Sequence, residues 1–268
     1  MIFHIIKMST YAQQILQNST NGVVHSVYEK TINILVDGHL LALQTLGSPF
    51  SPISLFTDMC ADEFAHMSVN VGTSVYLDLS SAEIQNLAPR KPILHLLRHD
   101  LYRKFSQVIG SSATNGFNLI FQMSPKVDDD LILSSAEVKI HEAHSFHRRR
   151  LYKEAADKLC ELIGLGIGLT PSGDDFLCGI LAGLRIQGLE EDNFAMHLQE
   201  GICNNLQRTN EISQAFLSCA LKGHFSLAVN NLWNKPSAEE IANDFLAIGH
   251  SSGMDTLCGI YFLFFLME

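Results

Sequence analysis

A nine-residue phrase that occurs twice constrains the fold of this chain more than any other feature. Residues 172–180 read SGDDFLCGI and residues 252–260 read SGMDTLCGI, so seven of nine positions agree at an offset of 80 residues. Each copy follows a small polar loop and opens an apolar run, which is typical of a helix N-terminus. The first N–H groups of a helix have no partner within it and suit an anion. The repeat therefore predicts two helices with similar N-termini, and we expect both N-termini to face one site.

Composition limits the classes of function. The chain has 268 residues, of which 47% are hydrophobic and 17% charged, enough for one large domain or two modest ones with a sizeable core. The formal net charge of −10 argues against a surface for nucleic acid or for an anionic membrane.

Localisation is predicted from the cysteines and the apolar runs. None of the six cysteines forms a C-x-x-C pair, which favours reduced core residues of a cytoplasmic protein. No signal peptide is evident, and the last apolar run, residues 257–267, is about half the length that a bilayer requires.

The chain changes character near residue 130. We predict an α+β protein with a β-rich domain at residues 1–130 and a helical domain at residues 131–268 that carries both motifs. Asp37-Gly38 between two apolar runs predicts a hairpin, and Ser237 with Glu240 predicts a capping box. The predicted strands are 23–28, 31–36, 39–46, 75–79 and 117–123. The predicted helices are 83–87, 93–108, 151–162, 176–186, 193–206, 212–221, 238–248 and 256–267.

The loop before the first phrase is rich in glycine. Residues 164–173 read GLGIGLTPSG, and glycine permits unusual backbone angles and a close approach of a ligand. Ser172 is placed to cap the next helix, with Asp174 and Asp175 in its first turn. No Gly-Lys-Ser/Thr follows, so the loop is not a Walker A motif, and a helix rather than a strand precedes it, which excludes a Rossmann loop.

The second loop, residues 249–253, reads GHSSG. A histidine beside two serines can donate a hydrogen bond to an oxyanion or transfer a proton, so His250 is a catalytic candidate. Asp255 occupies the position of Asp175 in the repeat. The alternative for both loops is ordinary helix capping, with Gly179 and Gly259 permitting close helix packing.

The aspartates conflict with a bare anion site. An anion beside Asp174 and Asp175 is repelled unless a cation intervenes. These carboxylates would therefore orient an N–H group, hold Mg²⁺ or accept the amide proton of a substrate. The sequence predicts no organic cofactor and leaves Mg²⁺ open. The predicted catalytic residues are His250, Asp175 and Asp255. The predicted residues for binding a substrate or anion are Gly166, Gly168, Thr170, Ser172, Gly173, Asp174, Arg208, Thr209, Ser251, Ser252 and Gly253.

Two further clusters are weaker candidates. His141, His144 and His147 lie three residues apart and would line one face of a helix, a spacing compatible with a metal site or with ordinary packing. Residues 147–150 read HRRR, and one of these arginines, or Arg208 at a helix junction, would supply a positive charge to the site.

Residues 166–179 (GIGLTPSGDDFLCG) resemble the signature of a bacterial family long of unknown function, and residues 249–259 (GHSSGMDTLCG) resemble its second signature. Residues 208–213 (RTNEIS) are similar to a third, in which the family often has threonine at the place of Asn210. The resemblance covers residues 150–268. The family includes the smallest of three subunits implicated in oxamate carbamoyltransferase of anaerobic allantoin breakdown. That enzyme interconverts oxalurate plus phosphate with oxamate plus carbamoyl phosphate.

The resemblance implies a carbamoyltransferase subunit that binds phosphate, carbamoyl phosphate or oxamate at the two helix starts and assembles with other subunits. Two alternatives stay open. One is an enzyme that uses a Mg²⁺-bound nucleotide, although the lysine of phosphate loops is missing. The other is a non-catalytic partner subunit whose repeated helix starts are structural.

Overall fold

A computed structural model of the chain describes residues 1–87, 90–122 and 130–267. The contacts within the chain divide it into two compact units, Met1–Ala88 with His224–Leu227, and Pro89–Gly223 with Ala228–Glu268. The first unit is rich in strands and the second is helical, so the predicted α+β class is confirmed. The predicted domain boundary after residue 130 rests on a change of composition and stays a prediction.

The first unit is built on one seven-stranded sheet. Its strand order is β5-β4-β3-β2-β6-β1-β7, and an additional antiparallel pairing of β1 with β5 closes six of the strands into a barrel. Strand β7 is added beside β1 as a parallel neighbour. The elements are β1 (Ile2–Ser9), α1 (Thr10–Leu16), β2 (Asn21–Tyr28), β3 (Thr31–Val36), β4 (His39–Thr45), β5 (Ser54–Thr57), α2 (Ala61–Ala65), β6 (Ser74–Asp78) and β7 (Glu83–Gln85).

Alternating side chains fill the barrel. Ile5, Ile34 and Leu43 point inward and are buried, because successive side chains of a strand face opposite sides of a sheet. The Asp37-Gly38 hairpin is confirmed, and both residues have the positive φ that a tight primed turn requires.

One element of this unit differs from its prediction. The helix predicted at residues 83–87 is wrong, because β7 there pairs in parallel with Lys7 to Ser9 of β1. The sequence pattern predicts no strand at residues 2–9, yet β1 forms there and its edge provides the backbone partners of residues 83–85.

The second unit contains the remaining helices of the described chain. They are α3 (His95–Ser111), α4 (Asn118–Phe121), α5 (Leu131–Arg148), α6 (Tyr152–Cys160), α7 (Ser172–Gln187), α8 (Asn193–Asn205), α9 (Glu211–Leu221), α10 (Leu227–Asn231), α11 (Ala238–Leu246) and α12 (Ser252–Leu266), with 3₁₀ turns at Leu206–Arg208 and Leu232–Asn234. Helix α10 begins at Leu227, the last residue that the contacts assign to the first unit. None of the helices in the described ranges combines the length and apolarity that crossing a bilayer requires.

Local signals predicted most of the helices of this unit, and one assigned element is wrong. The capping box is confirmed, since Ser237 Oγ accepts from the Glu240 N–H and the Glu240 carboxylate accepts from the Ser237 N–H. The strand predicted at residues 117–123 is wrong: residues 118–121 form helix α4, and residue 123 lies outside the described residues. A helical turn sets Phe117 and Phe121 on one face, where both rings contact Phe176 of α7.

Helices α7 and α12 form the centre of this unit and cross at two glycines. A Cβ atom on Gly179 would overlap the carbonyl oxygen of Thr256, and a Cβ on Gly259 would overlap that of Phe176. Phe176 and Thr256 occupy equivalent positions of the repeat, so each helix makes the same contact with the other. The glycines of the phrase therefore let two backbones touch around a local pseudo-twofold axis.

Candidate functional site

The two helix starts that the repeat predicts meet in the structure. The hydroxyl groups of Thr170, in the first loop, and Ser252, at the start of α12, are hydrogen-bonded at 2.9 Å. Each start also lies tight against the helix that precedes it. A Cβ on Gly173 would overlap the carbonyl of Leu162, just after α6, and one on Gly253 would overlap that of Phe245 in α11. The α6–α7 and α11–α12 pairs are thus two related helical hairpins.

Three N–H groups at the start of α7 are hydrogen-bonded to carbonyl groups of the chain itself. Gly173 N–H donates to the carbonyl of Leu165 at 2.8 Å, and the N–H groups of Asp174 and Asp175 donate to the carbonyl of Pro171 at 2.9 and 3.2 Å. Ser172 is the first helical residue rather than the cap, because the N-cap position is occupied by Pro171. These amides are therefore already paired, and this helix start offers fewer free donors than the sequence predicts.

Glycines shape the first loop around this start. Gly164, Gly166 and Gly168 all have positive φ. Gly164 lies against the Arg208 carbonyl and Gly166 against the Ser172 amide nitrogen, so neither has room for a Cβ. Gly168 is exposed with open space around it. The first two glycines thus hold the loop closed, and only the third faces solvent.

Asp174 ties the first loop to helix α9. The side chain is buried, its Oδ1 accepts from Gly164 N–H at 2.9 Å, and its Oδ2 accepts from the Thr209 hydroxyl at 2.5 Å. Burial raises the pKa of this carboxyl, while the Thr209 hydroxyl and the Gly164 N–H lower it. Both oxygens have a partner, so Asp174 and Thr209 act here as a structural clamp.

Asp175 and Asp255 each keep one carboxylate oxygen without a partner. Asp255 is 0% exposed; its Oδ1 accepts from the backbone N–H of Phe117 at 2.6 Å, and its Oδ2 is buried without a hydrogen bond. Asp175 is partly exposed, but its Oδ2 is likewise buried and unpartnered. Buried polar atoms are nearly always paired, so two such oxygens at equivalent positions of a repeat make this pair the centre of the candidate site.

The two carboxyl groups share an electrostatic environment. Burial raises the pKa of Asp255 to about 6. Burial and then the negative charge of Asp255 raise the pKa of Asp175 well above its usual range. The serines of the phrase act across the pair: the Ser252 hydroxyl lowers the pKa of Asp175, and the Ser172 hydroxyl lowers that of Asp255. Each carboxyl of one copy is therefore placed beside the serine of the other.

A third segment completes the site, and the sequence analysis did not identify it. A Cβ on Gly116 would overlap Oδ1 of Asp255, so the backbone there approaches the carboxylate as only glycine allows. Asn118, fully buried, accepts from the Gly116 N–H at 3.1 Å and from the Thr114 hydroxyl at 2.9 Å. This turn aims the Phe117 N–H at Asp255. The Asn-Gly pair at 115–116 is the sequence signal that marks such a turn.

Other predicted site residues lie around this centre. His250 is exposed with a φ of 45°, a left-handed conformation uncommon outside glycine and asparagine. Ser251 is the N-cap of α12, and its carbonyl accepts from the Asp255 N–H at 2.8 Å. The exposed Arg208 donates to the carbonyl of Cys160, at the end of α6, at 3.2 Å, so its charge is directed to that helix end.

Two of the three histidines on α5 pack against aromatic rings, whereas His141 is exposed beside Glu137. His144 contacts Phe265 with ring centroids 4.9 Å apart, and His147 contacts Phe194 at 5.0 Å. Burial lowers the pKa of both imidazoles. In the ranges that the structure describes, no three His, Cys, Asp or Glu side chains are grouped to hold a metal ion.

Two sequence profiles of one family match the chain. The profile described as oxamate carbamoyltransferase subunit AllH matches residues 162–264, and the AllH family N-terminal domain matches residues 4–92. Together they cover well over half of the chain. The chain belongs to the AllH family. No solved structure matches it.

The repeat and its carboxyl groups lie inside the AllH profile, whereas the 114–118 turn lies between the two matched regions. In this AllH-family chain the site presents two carboxyl groups with raised pKa, Asp255 fully buried and Asp175 partly exposed, flanked by four hydroxyl groups of the first loop and the two helix starts. Such groups can accept N–H donors from a ligand or hold a proton for transfer. The flanking hydroxyl groups are those of Thr170, Ser172, Ser251 and Ser252.

Proposed function

We propose that this chain is the subunit of an oxamate carbamoyltransferase that binds the small substrates at the paired helix starts. The reaction is the interconversion of oxalurate plus phosphate with oxamate plus carbamoyl phosphate. Membership of the AllH family supports the reaction class. The observation that carries the choice of site is the pair of unpartnered buried carboxylate oxygens on Asp175 and Asp255.

The two helix starts take different parts in this proposal. The start of α12 holds the anionic group, with its first-turn N–H groups and the hydroxyl groups of Ser251 and Ser252 as donors. The α7 start contributes Thr170 and Asp175, because its own amides bond to Leu165 and Pro171. Asp175 and Asp255 orient the amide of the substrate, and the carboxylates keep a free anion away from their side of the site.

Carbamoyl transfer passes through a tetrahedral intermediate with a negative oxygen. Donors aimed at that oxygen stabilise it, and removal of one such donor typically costs about 2.7–4 kcal/mol of transition-state stabilisation. His250, exposed beside the α12 start, is placed to donate to this oxygen or to carry a proton between the site and solvent. The reaction is completed with the other carbamoyltransferase subunits as partners.

The test is turnover by the complete enzyme. The chain is purified with its partner subunits, and carbamoyl phosphate formation from oxalurate and phosphate is measured together with the reverse reaction from oxamate. We expect turnover, and an increase in melting temperature of the chain with carbamoyl phosphate or oxamate. Ser252→Ala should lower the rate because it removes a loop hydroxyl, whereas Gly110→Ala, with open space around its Cβ, should not. Absence of turnover and of any ligand shift, alone or with partners, would refute the proposal.

A further inference from the structure

Two oxygens of the site have no partner, Oδ2 of Asp175 and Oδ2 of Asp255. They restrict the chemistry of the ligand that the site would bind. A buried acceptor without a donor costs folding free energy, so a fold retains two of them only where something else supplies the donors. Asp255 is completely buried and already held by Phe117 through its other oxygen, so its free oxygen cannot turn outward to water without breaking that bond.

The chemistry of the surroundings restricts the donor. A free anion is repelled by these carboxyl groups whenever they are ionised. The guanidinium group of Arg208, a predicted site residue, donates to the carbonyl of Cys160. The described side chains form no three-residue cluster for a metal ion. A neutral ligand group that carries N–H donors satisfies both oxygens without bringing a further negative charge.

The pseudo-twofold arrangement adds a second restriction. The free oxygens occupy equivalent positions of the two copies, each beside the serine of the other copy. A ligand group with N–H donors on two nitrogens matches this duplication better than a group with one donor. The –NH–CO–NH₂ group, a ureido group, is a small neutral group of this kind.

We infer that Asp175 and Asp255 form a recognition site for the ureido group, with one carboxyl group accepting from each nitrogen. This inference rests on the proposed function and names the part of the substrate that the two aspartates recognise. Oxalurate carries a ureido group, oxamate carries one amide nitrogen, and phosphate carries none. The pair therefore selects nitrogen-bearing substrates over oxygen analogues, because a site built for N–H donors is left unpaired by a ligand that lacks them.

The test compares ligands of equal charge. Calorimetric titration of the complete enzyme uses oxalurate, oxamate and monomethyl oxalate, which has the charge of oxamate but no N–H group. We expect wild-type affinity to fall from oxalurate to oxamate to monomethyl oxalate, with about tenfold or more lost at the last step. Equal affinity for oxamate and monomethyl oxalate in the wild-type enzyme would overturn the inference without any variant.

Variants assign the effect to the pair. Asp175→Asn and Asp255→Asn should each reduce the preference for oxalurate over monomethyl oxalate about tenfold and should not weaken phosphate binding, because each removes a carboxylate that repels the anion. Asp192→Asn removes a carboxylate that caps α8 and is the control, since asparagine caps a helix equally well. A wild-type enzyme that turns over oxalurate while both variants keep full preference contradicts only the inference. A wild-type enzyme that neither binds nor turns over oxalurate contradicts the proposed function as well.

Discussion

The two copies of the repeated phrase differ in how each is attached to the rest of the second unit. Both supply a serine, an aspartate and a crossing glycine, and the two glycines make the same contact in each direction. The copies differ at position 174. Asp174 accepts hydrogen bonds from Gly164 and Thr209, whereas its counterpart Met254 is a buried apolar side chain. Asp255 in turn is held by Phe117. The first copy is thus anchored through the unshared Asp174, whereas the second is anchored through one oxygen of the shared Asp255.

The crossing glycines should give the largest effect and test the equivalence of the copies. Gly179→Ala and Gly259→Ala each place a methyl group onto a backbone carbonyl of the other helix, which cannot move aside alone. We expect each variant to lose about 3 kcal/mol or more of unfolding free energy in chemical denaturation.

The control is Gly110→Ala in α3, where no atom lies within 4 Å of the added Cβ. That change should be neutral or stabilising by about 0.5–1 kcal/mol, because glycine weakens a helix interior. Unequal losses at Gly179 and Gly259 would show that the two halves of the crossing are not equivalent.

The pH dependence of stability examines the carboxyl pair. The ordinary pKa of Asp255 is 3.8 and the folded value is about 6, so the folded state binds this proton more tightly. The contribution to stability is complete below pH 3.8 and is lost as the pH rises through 6. We expect Asp255→Asn to raise the unfolding free energy at pH 8 by up to about 3 kcal/mol and to flatten the pH profile between 4 and 6.

Asp192→Asn, at an exposed helix cap, should leave that profile unchanged. The measurement is urea denaturation at a series of pH values. A variant profile that falls between pH 4 and 6 as steeply as the wild type would mean that Asp255 is not the group responsible.

The clamp in the first copy should give a smaller loss. Thr209→Val keeps the shape but removes the hydroxyl that donates to Asp174, so the pKa of that buried carboxyl rises further and the unfolding free energy should fall by about 2 kcal/mol. Thr256→Val, which removes a hydroxyl bonded to a carbonyl of its own helix, is the control. Similar losses for the two changes would show that Asp174 does not depend on Thr209.

The smallest stability effect is expected at His250. His250→Asn preserves the left-handed backbone that asparagine also tolerates, so the unfolding free energy should change by less than about 0.5 kcal/mol. If His250 carries a proton, turnover by the complete enzyme should fall about 100-fold or more. Unchanged turnover would remove His250 from the proposed mechanism and leave the carboxyl pair as its centre.

The local signals in the sequence predicted most of the helices and strands. The Asp37-Gly38 turn and the Ser237 capping box depend on neighbouring residues only, and both are confirmed. The errors at residues 83–87 and 117–123 arose where a distant partner decided the local conformation, β1 in one case and Phe176 in the other.

The candidate site was only partly predictable for the same reason. The repeat identified Asp175, Asp255 and the serines, because their residue types recur at a constant offset. Nothing local indicated that Phe117 supplies the N–H group for Asp255. This bond joins residues that are brought together only when the helices pack, whereas the bonds from the first amides of α7 to Leu165 and Pro171 form within the loop and the first helical turn.

By itself, the sequence determined that two alike helices begin with serine, glycine and aspartate, since capping preference and apolar periodicity act over a few residues. The tertiary structure alone decided that these helices cross at their glycines and that one oxygen of each aspartate is buried without a partner. Burial and long-range hydrogen bonds depend on which distant segments fill the space around a side chain, and a linear pattern of residue types does not contain that information.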